Sequence, residues 1–271
     1  MTGMLIVGHR GAMAHAPENS LESYALAEKA GVDEIELDVR LSADEQLFLL
    51  HDATLDRTAG ADSARGLGPA GELTMAQLQA AVLDSGRGVV SLAEMYDATS
   101  TGIQLEIKAP ETVPHLAQFF AEHRADAERT VLMSFQEDAL REAARLMPQV
   151  RRGVIRKDLA TADGFPGGWQ GLVEHTRAQR LAVGLEGLTE EAVAQIRDQG
   201  LELHVWPMRS LENMRDAVRL QADGTTSDDP ALAVQWLREV QDEQASADGP
   251  ATADRDQTAG GQEPATRAPG A

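Results

Sequence analysis

Residues 33–52, which read DEIELDVRLSADEQLFLLHD, decide the fold. Ile35, Leu37 and Val39 alternate with acidic residues, and this alternation predicts a strand with one apolar and one acidic face. On its own, the pattern is typical of a half-exposed antiparallel strand. In a closed parallel barrel the apolar face packs against helices and the acidic face points inwards, where like charges are costly unless a cation joins them.

The apolar run Leu47–Leu50 follows this strand too closely to return parallel to it, because a parallel connection needs about a dozen residues. We therefore predict a β-hairpin with Asp44 and Glu45 as its turn. Directly opposed residues share one face of a sheet, so this register places His51 beside Asp38.

Short runs of β-branched and aliphatic residues predict eight strands, and helical patterns lie between them. The predicted strands are residues 4–7, 34–39, 103–107, 130–134, 151–155, 181–185, 201–206 and 222–226. Repeated strand and helix units predict a (β/α)8 TIM barrel of the α/β class, since the crossovers bury parallel strands beneath outer helices. An open, doubly wound sheet is the alternative.

Composition divides the chain into one domain and a tail. We predict a barrel domain over residues 1–240, with an insertion at about 52–90 that is rich in Gly and Ala and contains one helix at 74–82. The insertion is interpreted as a lid or a pocket wall. Residues 241–271 hold no large apolar side chain and predict a disordered acidic tail, because such a segment cannot offset the entropy of ordering.

The overall charge excludes some classes of partner. The 271 residues include 24 Lys and Arg against 44 Asp and Glu, for a net charge of -20. Phosphate backbones are bound through Lys and Arg, so we expect no binding to nucleic acid. The chain has no cysteine, which excludes disulfides, thiolate metal sites and a cysteine nucleophile.

The hydrophobic pattern bears on location. No run approaches the ~20 apolar residues of a membrane span, and Met1–Gly8 lacks the basic and apolar regions of a secretory signal. We expect a cytoplasmic protein with no stable membrane insertion, and the sequence leaves the oligomeric state open.

A second acidic strand completes a candidate metal site. In residues 104–108, QLEIK, the apolar positions face outwards and Glu106 faces inwards. Glu36, Asp38 and Glu106 then lie at the carboxyl ends of neighbouring strands, where barrel active sites are built. Three carboxylates without cysteine or a clustered ligand histidine favour one divalent cation, Mg²⁺ or Ca²⁺, over Zn²⁺.

Two histidines and two cations flank these carboxylates. His9 and Arg10 end the first strand, His51 follows the hairpin, and Lys108 ends the second acidic strand. Histidines titrate near neutral pH and suit a general acid and a general base. A divalent cation with Arg10, Lys108 and two histidines favours phosphoryl chemistry, because such a site stabilises an anion whose charge grows in the transition state.

The chain resembles the glycerophosphodiester phosphodiesterases in several separately spaced blocks. These blocks are HRGAMAHAPENSLESYALAEKAGVDEIELDVRLSADEQLFLLHDATLDRT at residues 9–58, Leu105–Lys108, Met133–Phe135, Val205–Trp206 and Thr225–Pro230. They follow the family order from about Leu5 to Pro230. The resemblance implies a (β/α)8 barrel and a metal-dependent phosphodiesterase, with the ligand, acid/base and phosphate-binding residues named above.

The resemblance also covers two substrate-binding candidates. Glu18 is either a hydrogen-bonding brace for Arg10 or His9, or an acid before the helix cap Ser20. Trp206 is either an apolar wall for the glycerol or alcohol moiety, or a core residue. It precedes Pro-Met-Arg where the family commonly has Thr-Val-Asn, which bears on substrate preference.

We predict hydrolysis of a glycerophosphodiester, a small-molecule substrate, to sn-glycerol 3-phosphate and an alcohol. The nucleophile is either water or a neighbouring glycerol hydroxyl. A lysophospholipase D-like phosphodiesterase and a non-catalytic phosphodiester-binding barrel are the alternatives. A decayed binder would lack one of the two histidines or three carboxylates, and all are present.

Overall fold

The computed structural model describes residues 3–247 and shows a closed parallel barrel in this part of the chain. Its strands are β1 Leu5–Gly8, β2 Glu34–Leu41, β3 Leu47–Leu49, β4 Val90–Ser91, β5 Gly102–Ile107, β6 Thr130–Ser134, β7 Arg151–Ile155, β8 Arg180–Val183, β9 Glu202–Val205 and β10 Gly224–Ser227. Strands β1, β2 and β5 to β10 pair parallel in order, and a β1–β2 pairing closes the ring. The predicted TIM barrel is confirmed.

Helices surround this barrel. They are α1 Leu21–Ala30, α2 Met75–Ala80, α3 Leu92–Ala98, α4 Val113–Glu122, α5 Arg124–Glu128, α6 Glu137–Leu146, α7 Leu159–Asp163, α8 Gly168–Thr176, α9 Glu190–Asp198, α10 Leu211–Arg219 and α11 Pro230–Ala247. Within residues 3–247, no helix combines the length and the apolar character that crossing a membrane requires.

The core between strands and helices follows the alternation in β2. Ile35, Leu37 and Val39 are fully buried in one apolar cluster with residues of α1, α3 and α4. A second apolar cluster joins the opposite wall of the barrel to α8, α9 and α10. Because the apolar faces point outwards, the side chains that alternate with them enter the barrel.

The hairpin forms, but its predicted register is wrong by one residue. Val39 pairs with Leu49, and the amide of Leu50, not that of His51, donates to the carbonyl of Asp38 at 2.9 Å. The turn has three residues rather than two, and Glu45 closes it at φ 61°. Three-residue hairpin loops commonly end in the left-handed region, and no glycine marked that position in the sequence.

The insertion after this hairpin has its own apolar core. Phe48, Leu50, Leu55 and Leu78 are buried together under β3 and α2. Three short 3-10 helices, Asp56–Thr58, Asp62–Ala64 and Ala70–Glu72, lead from β3 to α2. The segment is therefore packed against the barrel wall at the side where His51 lies.

The predicted boundary at residue 240 does not hold, because α11 runs through Gln241 to Ala247. Residues 241–247 are mostly good helix formers, which favours continuation of the helix. Arg215 of α10 also pairs with Glu243 at 2.7 Å. The rest of the predicted tail, residues 248–271, lies outside the described residues.

Candidate active site

Three buried carboxylates meet inside the barrel at the carboxyl ends of β2 and β5. Asp38 and Glu106 are direct partners in the parallel register, and Glu36 lies one inward position below Asp38. One oxygen from each of the three lies within 4.8 Å of the other two. Glu36 is 6% exposed, Asp38 0% and Glu106 8%, so water screens their mutual repulsion poorly. The structure brings the three predicted ligands together.

The pKa values of the three carboxylates indicate more negative charge than the neighbouring cationic side chains neutralise. Burial, followed by the charge of Asp38, raises the pKa of Glu36 to about 8 and raises the pKa of Glu106 as well. Burial also opposes ionisation of Asp38, but Lys108 and Arg10 outweigh it and lower the pKa of Asp38. Among the described residues, Oδ1 of Asp38 is buried without a hydrogen bond. Three hard oxygen donors in this state fit a divalent cation of the Mg²⁺ or Ca²⁺ type.

Arg10 and Lys108 reach the carboxylates from two sides. Nε of Arg10 lies 3.2 Å from Oδ2 of Asp38. Nζ of Lys108 lies 2.7 Å from Oε1 of Glu106 and 3.3 Å from Oδ1 of Asp38. Both cationic side chains are only slightly exposed, and they carry donors that a phosphate could accept.

The loop after β1 holds Arg10 through close packing on α1. Gly11 has φ 86°, and a Cβ there would lie 2.4 Å from Oγ of Ser23, so the position requires glycine. The same hydroxyl donates to the carbonyl of Arg10 at 2.8 Å. Oε1 of Glu18 accepts from Nη1 of Arg10 at 3.0 Å, which is the brace that one interpretation of Glu18 predicted.

His9 is held by a carboxylate that directly follows the last barrel strand. Its Nδ1 lies 2.5 Å from Oδ1 of Asp228, and its Nε2 lies 3.8 Å from Oε2 of Glu36. Burial disfavours protonation, but the hydrogen bond to Asp228 and the charge of Glu36 outweigh it and raise the pKa of His9. The bond at Nδ1 leaves Nε2 directed towards the carboxylates.

His51 is held in the same way by its chain neighbour. Its Nδ1 lies 2.6 Å from Oδ1 of Asp52. Burial lowers the pKa of His51, although the charge of Asp38 and the bond to Asp52 oppose the shift. His51 therefore lies within electrostatic range of Asp38, as predicted. It lies in the loop after β3, however, and is not paired with β2. Arg40 fixes this loop by donating to the carbonyls of Leu50 at 3.0 Å and His51 at 2.6 Å.

Sequence reasoning missed three residues of the site. Two are the carboxylates that bond the histidines, and the third is the side-chain amide of Asn19. Asp52 directly follows His51 in the sequence, so a local signal for this pair was present. Asp228 meets His9 only because β10 pairs with β1, which no local pattern reveals. Nδ2 of Asn19 donates to Oδ2 of Asp38 at 2.9 Å and orients the central carboxylate.

A small apolar cluster lies on the opposite side of the barrel interior. Val131, Met133, Ile155 and Ala182 point inwards from β6, β7 and β8, and Trp206 packs against them. Trp206 contacts Phe135 edge-to-face, with 5.9 Å between ring centroids. Phe135 is 41% exposed. Inside the barrel, the carboxylates therefore lie opposite an apolar cluster to which Trp206 belongs.

Comparisons with known proteins agree on one family. A model of the glycerophosphoryl diester phosphodiesterase family matches residues 9–232. A glycerophosphodiester phosphodiesterase of Caldanaerobacter subterraneus subsp. tengcongensis is 26% identical over 257 residues, covering 86% of this chain and 98% of its own. A Bacillus subtilis protein of the same name is 26% identical and covers 82% of both chains.

Solved structures share the architecture. A glycerophosphodiester phosphodiesterase from Thermotoga maritima superposes with a TM-score of 0.73 at 26% identity, covering 87% of this chain and 99% of that one. A phosphodiesterase from Oleispira antarctica, solved with the product sn-glycerol-3-phosphate, has a TM-score of 0.77 at 24% identity and covers 86% and 96%. The second likeness concerns the fold alone.

Proposed function

Because the chain belongs to the glycerophosphoryl diester phosphodiesterase family, we propose that it hydrolyses glycerophosphodiesters to sn-glycerol 3-phosphate and an alcohol. One observation carries this proposal. Two histidines, each bonded to a carboxylate at Nδ1, flank three buried carboxylates whose oxygens lie within 4.8 Å of one another. This constellation is complete, which favours an enzyme over a binding protein that has lost its chemistry.

The proposed cofactor is one divalent cation, Mg²⁺ or Ca²⁺, held by Glu36, Asp38 and Glu106. When bound, such a cation acts as a Lewis acid on a phosphate oxygen and orients the substrate. The buried carboxylates repel one another without it, and the site offers oxygen donors that both ions accept.

Arg10 and Lys108 are proposed to bind the phosphate. Their donors sit beside Asp38, so the anionic phosphate would be received by cations that are already oriented. Arg10 is fixed by Glu18 and by its own carbonyl contact with Ser23. A held guanidinium loses little further entropy when the substrate binds, and it stabilises charge that grows in the transition state.

His9 and His51 are proposed as the general acid and base. One imidazole removes a proton from the attacking hydroxyl, and the other protonates the departing alkoxide. Asp228 and Asp52 keep each ring in the tautomer whose Nε2 faces the substrate, and they stabilise the ring when it becomes cationic. The base accepts a proton at Nε2 and the acid releases one from Nε2, so the arrangement serves attack by water and attack by a neighbouring glycerol hydroxyl.

Trp206 and the neighbouring Phe135 are proposed to receive the uncharged parts of the substrate. Trp206 and Phe135 present ring surface at the carboxyl ends of β9 and β6, opposite the acidic strands. Carbon atoms of the glycerol or of the leaving alcohol would cover this surface, which lowers its contact with water. We further propose that residues 3–247 act as one catalytic unit in which segment 52–90 is a wall of the site.

A product assay tests the function. Purified protein is incubated with glycerophosphocholine, glycerophosphoethanolamine and glycerophosphoglycerol in the presence of Mg²⁺ or Ca²⁺, and phosphorus NMR follows the products. We expect sn-glycerol 3-phosphate from at least one of them. Release from none of the three, together with cleavage of lysophosphatidylcholine, would replace the proposal by the lysophospholipase D-like alternative.

A further inference from the structure

Arg57 connects two carboxylates that belong to different parts of the site. It lies in the first 3-10 helix of the inserted segment 52–90. Its Nη1 and Nη2 donate to the two oxygens of Glu18 at 2.7 and 2.6 Å, and its Nε donates to Oδ2 of Asp52 at 2.6 Å. A guanidinium is the side chain that can satisfy three such acceptors in one plane.

Glu18 and Asp52 each also bond a residue that is proposed to act on the substrate. Oδ1 of Asp52 bonds Nδ1 of His51 at 2.6 Å, and Oε1 of Glu18 accepts from Nη1 of Arg10 at 3.0 Å. A continuous chain of charged contacts therefore runs from the imidazole of His51 through Arg57 to the guanidinium of Arg10.

The charges along this chain are balanced only with Arg57 present. The side chain of Glu18 is 8% exposed and lies between two guanidinium groups. The bond from Arg57 lowers the pKa of Asp52 to about 2. An ionised Asp52 accepts from Nδ1 of His51, which is the orientation that leaves Nε2 available.

We propose that Arg57 is a positioning residue that sets His51 and Arg10 relative to each other and thereby makes the inserted segment part of the assembled site. This inference rests on the proposed function, because positioning has a kinetic consequence only if His51 and Arg10 act on the substrate.

If Arg57 had a purely structural role, its replacement would lower the thermal midpoint, but the structure does not favour that result. The inserted segment has its own apolar core and is fastened elsewhere by backbone contacts, such as the amide of Met75 on Oδ1 of Asp44 at 2.8 Å. The Arg57 side chain is 47% exposed, which limits what its ion pairs contribute to stability, and Glu18 keeps its second partner Arg10 when Arg57 is replaced. Removal of the guanidinium should therefore change turnover and leave the thermal midpoint almost unchanged.

The test compares Arg57→Gln and Arg57→Lys with Arg87→Gln in the full-length chain. Arg87 is a matched control, since it lies in the same segment, is 42% exposed and pairs with Glu94 at 2.8 Å. The readouts are kcat and KM for glycerophosphocholine with Mg²⁺ in excess, and the thermal midpoint of each variant. His51→Ala is measured in the same assay.

We expect Arg57→Gln to lower kcat about tenfold or more, the usual size of an effect on a group that orients a functional residue. Arg57→Lys should remain below the wild type, because an ammonium cannot hold three acceptors in one plane. Arg87→Gln should match the wild type. A kcat of Arg57→Gln or Arg57→Lys equal to that of the wild type would overturn the inference.

A double variant tests the route of the effect. If Arg57 acts on His51 through Asp52, Arg57→Gln combined with Asp52→Asn should be little worse than Asp52→Asn alone. Multiplication of the two single effects would contradict that route. Absence of glycerophosphodiester turnover in the wild type refutes the proposed function, and normal turnover by His51→Ala refutes the role of His51. An active wild type and an inactive His51→Ala beside a normal Arg57→Gln refute only the role of Arg57.

Discussion

Nδ1 of His9 lies 2.5 Å from Oδ1 of Asp228, although β1 and β10, which precede these two residues, are the first and last strands of the barrel. The contact exists because β1 and β10 pair in parallel and bring Gly8 opposite Ser227. Closure of the barrel therefore builds half of the proposed acid/base pair. The other half, His51 with Asp52, is built locally after the hairpin.

Asp228→Asn should lower kcat about tenfold or more, because an amide can donate to Nδ1 of His9 and so favour the neutral tautomer that carries its proton on Nε2, instead of the tautomer that Asp228 stabilises. The measurement is kcat for glycerophosphocholine with the thermal midpoint beside it. Asp138→Asn is the control, since Asp138 is highly exposed and pairs only with Arg141 among the described residues. Equal kcat for the wild type and Asp228→Asn would remove Asp228 from the account.

His9→Ala and His51→Ala should each lower turnover about 10²-fold or more, the usual contribution of general acid or base catalysis. Circular dichroism should show an unchanged fold, because both rings lie in loops and take no part in strand pairing. His15→Ala controls for loss of an imidazole near the site, as His15 is half-exposed and pairs with Asp229 at 2.9 Å. Near wild-type turnover in both test variants would refute the assignment.

Glu36→Gln should stabilise the metal-free protein while it abolishes metal-dependent turnover. It removes a carboxyl group that the fold holds only by taking up a proton or by placing a further negative charge beside Asp38 and Glu106. It keeps an oxygen for the amide of Arg10, which lies 3.1 Å from Oε2 of Glu36. A gain of about 1 kcal/mol would raise the thermal midpoint in EDTA by about 2–4 °C. The exposed Glu186→Gln serves as control. A lower midpoint for Glu36→Gln than for the wild type would show that the carboxylates do not repel.

His204 should make the protein less stable in mild acid. It is fully buried in the barrel, where Gln104 contacts its Nδ1 at 3.3 Å. Burial, with Arg180 and Arg151 nearby, puts the pKa of His204 well below its ordinary value. Glu34 and Glu202 face the same region and are paired with Arg180.

The sign follows from proton uptake on unfolding. Below about pH 6.5 the unfolded chain binds a proton at this histidine and the folded chain does not, so the free energy of unfolding falls as the pH falls. The loss from this single group approaches about 1.4 kcal/mol per pH unit. Urea unfolding at pH 7 and pH 5 should show a larger decline for the wild type than for His204→Gln. Equal declines would exclude His204 as the cause.

The acidic site could be predicted because it depends on two simple rules, alternation along a strand and adjacency of consecutive barrel strands. Alternation in β2 and β5 turned Glu36, Asp38 and Glu106 to one side, and parallel pairing placed the two strands next to each other. The family resemblance added the order of the blocks. Alternation operates within a few residues, and adjacency of consecutive parallel strands follows from the predicted barrel, so a single sequence carries both.

The errors arose where geometry depends on a loop or on distant chain. The hairpin register turned on Glu45 entering the left-handed region without a glycine. The link between His9 and Asp228 required closure of the barrel. The end of α11 at Ala247 reflects helix propensity and the pairing of Arg215 with Glu243, which outweigh the lack of large apolar side chains.

Removal and return of the metal tests the central claim most directly. Protein stripped with EDTA should lose glycerophosphocholine turnover by more than about 10²-fold, since Lewis-acid stabilisation of phosphate charge contributes several kcal/mol. Added Mg²⁺ or Ca²⁺ should restore turnover in the wild type. It should not do so in Asp38→Asn, because this substitution removes a negative charge from the proposed metal site. Turnover that chelation leaves unchanged would contradict the role given to Glu36, Asp38 and Glu106.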